Sequence, residues 1–567
     1  MKSFDYCDVS LLDGLVKDSV RETMAFYLEI PVDNMLVYLR EMAGIPAAGV
    51  HYTGWFEGHK GMGLLGQWLS AHARMYAVTG NEAYRDKVSL MMQGWLECYK
   101  ILQEKVLGKE TFYAYEKLLQ GYMDVSQYCG TFGMEQHIKD LVDLAADKMD
   151  RTNLFGDNGH EWYTMPESLY RAYQFTGYEK AKQAAEYWEY REYWDLFYKE
   201  ENPFPKKPKA GLFSEFCHAY SHVNSFNSAA MAYAVKGDPY YLEAMEKFHH
   251  FMTCTQIYCT GGYGSEYEHI MPRDRMINAL KTGHDSFETQ CCSYAVYRLE
   301  KYLMQFTGKA KYGDWTERLI YNATVATIPM TSDGKVIYYS DYNLYNAKKI
   351  NRQAGWTCCT GTRPLAVTEI PRLIYFREND SLFVSQYIPS KLAWNRPDGT
   401  VRLTQLTEFP VEDSTKFTIT VEKPVSFRLC LRLPEWEKET PVVQVNGETA
   451  SPSMQDGWMC LERTWQDGDC IELNLPQQIW VSRLDEQNGR PCAVMHGPVA
   501  LAAQCEPVRT LTEAQKCLDG ISVQEALAPE RGLHYSVKGG NGLLFRPFYE
   551  YREYEPYFLY FDCMIKD

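Results

Sequence analysis

No excess of positive charge, no long apolar run and no spaced cysteine framework mark this chain of 567 residues. Lys and Arg total 58 against 74 Asp and Glu, a formal net charge of −16 that nucleic-acid phosphates or an anionic membrane would repel. A run of about 18 apolar residues, as a membrane helix requires, is missing. The start, Met1-Lys2-Ser3-Phe4-Asp5-Tyr6, lacks the apolar stretch of a secretory signal. These absences lead to the expectation of a soluble, cytoplasmic protein with no nucleic-acid or membrane partner. The 17 cysteines are an odd number without disulfide-like spacing, which fits a reducing compartment with thiols free for metal or catalysis.

What is present is a folded protein's hydrophobic fraction, 46%, on a chain too long for one core, so two or three domains are expected. Aromatics are plentiful, with 43 Tyr, 25 Phe and 13 Trp. Their faces stack on sugar rings, although many must simply fill the core.

From about residue 18 to 330 the apolar residues recur at helical spacing. The segments repeatedly close on a small residue or lysine plus glycine: Thr79-Gly80, Cys129-Gly130, Thr176-Gly177, Lys236-Gly237 and Thr307-Gly308. Glycine just past a helix end takes the left-handed conformation that closes the last turn, so these sites read as turns in successive helical hairpins. Repeated hairpins build either an open solenoid or a closed toroid. Variable connections, such as the insert Glu201 to Leu212 and the turn Gly261-Gly262-Tyr263-Gly264, favour the toroid, where loops gather at one mouth. After about residue 365 the period changes to two, as in Phe417-Thr418-Ile419-Thr420-Val421, and Asn446-Gly447 is a hairpin signal. The expectation is an (α/α)6 toroid over 1–365, a β-sandwich over 366–505 and a closing β region over 506–567 packed on it.

Two cysteine clusters carry the chemistry. Cys358-Cys359 follows Gly355-Trp356-Thr357, and Glu288-Thr289-Gln290-Cys291-Cys292 lies upstream. Three thiolates and one carboxylate suit a tetrahedral zinc ion. Ordinary packing of buried free cysteine is the competing account.

With these clusters, Gly261-Gly262-Tyr263-Gly264 and Glu268, and the stretches Leu431-Arg432-Leu433-Pro434-Glu435-Trp436 and Ala493-Val494-Met495-His496-Gly497-Pro498, the chain resembles glycoside hydrolase family 127, the cysteine-dependent β-L-arabinofuranosidases. The resemblance implies zinc held by Glu288, Cys291, Cys358 and Cys359, with Cys358 also the nucleophile and Glu268 the acid/base. Glu266 shares the loop, but the distance to Pro272 favours Glu268. Two residues separate Glu288 from Cys291, one more than in the better-known members, so Cys292 stays an alternate ligand. Measured from Gly237, His218 matches a sugar-binding histidine, Tyr339 matches a tyrosine at the sugar, and Glu288 would also hold a sugar hydroxyl. Lys117 stands where those members carry a histidine, and Met165-Pro166-Glu167 lacks another, which hints at an acidic sugar. His218 and His222, four apart, invite a metal reading, but packing explains at least His222. His160 and Glu161 read as a helix cap.

The implied activity is retaining release of a terminal β-L-arabinofuranose, or a related furanose, from plant glycans. A branched or acidic pectic sugar such as aceric acid is the alternative substrate. A toroid-type polysaccharide lyase and a carbohydrate-binding scaffold with structural zinc are the alternatives from other classes. A homodimer is left open.

Overall fold

The computed structural model describes all residues except 59–61, 107–111, 131–132, 152–160, 205–216, 328–335, 351–354, 505–509 and 541. His160 and most of the 201–212 insert therefore lie outside the described residues. Six helices pack each on the next and close a ring: Met62–Thr79 (α1), Phe112–Asp124 (α2), Met165–Thr176 (α3), Ala219–Lys236 (α4), Thr289–Thr307 (α5) and Cys358–Glu369 (α6). Outer helices such as Glu82–Leu102, Glu179–Tyr187 and Pro239–Thr255 pack against α1, α3 and α4 respectively, giving the helical toroid. Gly80, Gly130, Gly177, Gly237 and Gly308 all have φ between 63° and 73°, the left-handed closure that their spacing implies.

The inner helices are buried on nearly every side, so their composition is mixed rather than uniformly apolar. In α4, Phe226 and Val223 join the apolar core while Asn224, Ser225, Asn227 and Ser228 are equally buried. The first two helices touch backbone to backbone. A Cβ on Gly66 would stand 2.3 Å from the Lys117 backbone, and one on Gly121 2.8 Å from the Gly66 carbonyl.

Buried charge pairs link the inner helices. Arg74 of α1 bonds Asp124 of α2 at 2.9 Å and Glu369 of α6 at 3.1 Å, Lys301 of α5 pairs with Glu369, and Arg298 bonds Glu167 of α3 at 2.5 Å. Removing one partner from such a buried pair strands the other charge and costs about 3–5 kcal/mol.

Behind the toroid lie three sheets. Val425–Arg432 and Trp458–Trp465 form the centre of one, and Ser414–Thr420 and Gly399–Thr407 the centre of the second. Lys2–Ser3 adds an edge strand to the first and Val9–Leu11 to the second, while Met1 and Tyr6 bond Gln305 and Glu369 of the toroid, so the first residues tie the two together. The third sheet joins Ile479–Arg483, Cys492–His496 and Val499–Gln504 to Leu544–Pro547 and Pro556–Phe558. The expected boundary after residue 505 runs through this sheet. Ala503 pairs with Phe545 and Phe558, long-range bonds that periodicity along the chain does not reveal.

Arg432 ties sandwich to toroid through Asp314 at 2.5 Å and through Glu317, which also accepts from the Trp436 indole at 2.8 Å. Cys430 and Cys460, 30 residues apart, form a disulfide, against the expectation of free thiols throughout. The register of their two strands places them directly opposite each other. No helix among the described residues is long and apolar enough to cross a membrane.

Candidate active site

The chemistry gathers where inner helices begin. Glu288 is the N-cap of α5, His218 the N-cap of α4, and Cys358 and Cys359 are the first residues of α6 after the Thr357 cap. Helix N-termini carry unsatisfied N–H groups and a partial positive charge, so thiolates and carboxylates are favoured there.

Two short strand pairs set the register. Cys217–His218 pairs with His269–Ile270, which brings the preceding Glu268 beside His218, and Phe287–Glu288 pairs with Tyr339–Ser340. Gly264 lets the intervening loop approach α4: a Cβ there would meet that of Ala219 at 2.7 Å, and its φ is +93°.

Glu288, Cys291, Cys358 and Cys359 form one cluster whose ligand atoms all lie within 4.8 Å of one another. Glu288 Oε1 is 3.2 Å from Cys358 Sγ and 3.6 Å from Cys359 Sγ, which is 3.7 Å from Cys291 Sγ. Position i+3 from the N-cap turns Cys291 toward α6, where its Sγ meets Thr362 Oγ1 at 3.1 Å. Cys292, at i+4, stands outside the cluster, 3.8 Å from the other Glu288 oxygen.

The four groups compete for few protons. Hydrogen bonds from the Cys291 and Cys359 thiols hold Cys358 well below the usual thiol range. Burial pushes Cys291 and Cys359 up, and burial with the charges of Glu268 and Cys358 does the same to Glu288. Cys358, partly exposed, is thus the thiol of the cluster most easily ionised, and its buried neighbours favour their neutral forms.

Opposite stands Glu268, held in a left-handed backbone at φ 71°. Its Oε2 is 2.6 Å from His218 Nε2, and its Oε1 accepts from the Tyr338 and Tyr339 hydroxyls at 2.7 and 2.6 Å. Burial opposes ionisation of Glu268, but these bonds outweigh it and keep the carboxyl below its usual value. Burial likewise works against a charge on His218, and its bond to Glu268 reverses the sign, leaving the imidazole raised. The Tyr338 hydroxyl also lies 3.5 Å from Cys358 Sγ, so one phenol touches both the thiol and the carboxylate.

Other expected residues fall elsewhere. Glu266 turns outward to Arg275 at 2.5 Å. His222 is enclosed by the rings of Tyr163, Tyr190 and Tyr193, with Nδ1 on the His218 carbonyl at 2.8 Å, and burial pushes it down to about 3. Lys117 is buried beside the site, paired with Glu116, 2.9 Å from the Tyr220 hydroxyl and over the Tyr113 ring. Its charge is therefore already met.

The sequence reading passes over Tyr338 and gives Glu161 only a capping role. Tyr338 neighbours the expected Tyr339 in a short edge where both phenols reach Glu268. Glu161 makes no cap with its side chain. Burial pushes its carboxyl up to about 7, against the pull of His218 and Lys117 and with the push of Cys358.

Residues 8–371 match the pattern of the β-L-arabinofuranosidase GH127 catalytic domain, and residues 381–477 that of the GH127 middle domain. A non-reducing end β-L-arabinofuranosidase of Bifidobacterium longum subsp. longum is 24% identical over 297 residues, 47% of this chain and 43% of that protein. The match thus spans less than half the length of that relative. Among solved structures, a GH127 β-L-arabinofuranosidase from Geobacillus stearothermophilus T6 superposes with a TM-score of 0.76 at 17% identity, covering 98% of this chain and 100% of that one. A GH127 β-arabinofuranosidase does so at 0.74 and 17%, covering 99% and 98%. At these identities the superpositions establish the fold.

Proposed function

The chain belongs to glycoside hydrolase family 127, and from that premise we propose that it is a retaining exo-acting β-L-arabinofuranosidase, with Cys358 as nucleophile and Glu268 as acid/base. The substrate is a terminal β-L-arabinofuranose of plant glycans, including hydroxyproline-rich glycoproteins. The observation that carries this reading is the Tyr338 hydroxyl between Cys358 and Glu268. A structural metal clip has no use for a carboxylate facing one of its thiols.

Three thiols and a buried carboxylate within 4.8 Å are the donor set that zinc takes. When bound by Glu288, Cys291, Cys358 and Cys359, zinc would hold Cys358 as thiolate at neutral pH, where a thiol of pKa about 8.5 is mostly protonated. The Cys358 sulfur attacks the anomeric carbon as the bond to the leaving oxygen breaks. That oxygen takes the proton which Glu268 and His218 share across 2.6 Å. Glu268, now a carboxylate, removes a proton from water, whose oxygen attacks the same carbon and returns the sulfur. Two displacements at one carbon retain configuration.

A pectic acidic sugar is disfavoured. The Lys117 charge that suggested it is met by Glu116, and Glu268, held below its usual value, adds negative potential. The deciding measurement is NMR of p-nitrophenyl β-L-arabinofuranoside hydrolysis, with and without chelator. The first product anomer should be β, and activity should fall with chelator. An α first product removes the double displacement, and a product absorbing as an unsaturated uronide from pectin makes the protein a lyase.

A further inference from the structure

Glu161 enters no step of that reaction, yet its placement is costly. It lies just ahead of the turn Trp162–Thr164 that leads into α3, with a left-handed backbone at φ 67°, a conformation that a non-glycine residue keeps only where its surroundings impose it. The residue is 9% exposed, and its Oε2 is buried without a hydrogen-bond partner. A buried acceptor left unpaired is among the more expensive features a fold can retain.

Among the described residues, the charged neighbours that act on Glu161 are already engaged. Cys358, His218 and Lys117 are all close enough to act on its charge. Lys117 Nζ is engaged by Glu116 and Tyr220. His218 has Nδ1 on Ser221 Oγ at 2.8 Å and Nε2 on Glu268. A sugar seated on Cys358 would bring hydroxyl donors into this space.

We propose that Glu161 is a specificity-determining residue of the sugar pocket, accepting a hydrogen bond from a furanose hydroxyl remote from the anomeric carbon. The proposal rests on the glycosidase reading.

The test pairs substrate with residue. Wild type, Glu161→Gln and Glu161→Ala are compared on p-nitrophenyl β-L-arabinofuranoside and its 3-deoxy and 5-deoxy analogues, with thermal melts to confirm folding. Wild type should lose roughly tenfold to a hundredfold in kcat/KM on one deoxy analogue, as loss of a hydrogen bond to a charged group implies. Glu161→Ala should lose a similar factor on the parent sugar, mostly through KM, and show no further penalty on that analogue. Glu161→Gln keeps an acceptor and should fall between, and it covers the case in which the alanine variant does not fold. Equal deoxy penalties in wild type and both folded variants overturn the proposal while leaving the glycosidase reading intact. A wild type that cleaves no furanoside sinks the glycosidase reading instead.

Discussion

The two ends of the helical ring are built from the same helices, yet they treat charge in opposite ways. Toward the C-terminal ends Asp124 and Glu369 each meet two bases: Asp124 accepts from Arg74 at 2.9 Å and Arg171 at 2.5 Å, and Glu369 accepts from Arg74 and Lys301. The attraction of these cations outweighs burial and holds Glu369 below the usual carboxylate range. At the N-terminal mouth Glu288, Glu268, Glu161 and Cys358 crowd together, with His218 the cation they share. Compensated charge braces the toroid, and the mouth keeps its acids and thiols crowded around few cations.

Substitution at the mouth should therefore destroy turnover and spare the fold. Cys358→Ser should lower kcat by at least about 10⁴-fold, the scale of deleting a nucleophile. Its melting temperature should stay near wild type, and near-normal turnover would end the nucleophile assignment. The opposite pattern is expected below. Glu369→Ala strands Arg74 and Lys301 and should cost about 3–5 kcal/mol in denaturant unfolding, with kcat per folded molecule unchanged. A loss of kcat without loss of stability would erase the distinction between the two ends.

Neutral imidazoles within the ring give a pH signature. His72 and His222 are pushed down by burial to about 4 and about 3. Unfolded, each takes a proton near pH 6.5, which the folded state refuses until the pH approaches those lower values. Stability is full above pH 6.5 and falls toward pH 4, by about 1.4 kcal/mol per pH unit for each histidine. Melts of His222→Asn should show a shallower acid limb, and an unchanged slope would mean that His222 carries a charge in the fold. The smallest effect belongs to the phenol between the reacting groups. Tyr338→Phe should cost about tenfold in kcat, the low end for losing a hydrogen bond to a charged group. An unchanged kcat would remove Tyr338 from the reaction.

Much of this was legible in local sequence because its causes are local. Glycines such as Gly237 and Gly308 close helices wherever they stand, and alternation in Phe417-Thr418-Ile419 marks a strand whatever it packs on. Glu288 and Cys291 share one helical turn, so their contact follows from spacing. Glu161 read as a cap because its loop is polar, and only the packing of α2, α3 and α4 sets it near Lys117 and His218. The Cys430–Cys460 pair and the long-range partners of Ala503 were hidden for the same reason.

The sequence by itself determined the inventory: helical hairpins, then strands, with thiols and carboxylates at the starts of helices, because propensity, capping and periodicity act within a few residues. The tertiary structure alone decided which of those groups share a few ångströms. Closing a ring brings residue 288 to residues 358 and 359, and 268 to 218. Burial and mutual charge then settle which thiol is left ionised, and these depend on every neighbour at once.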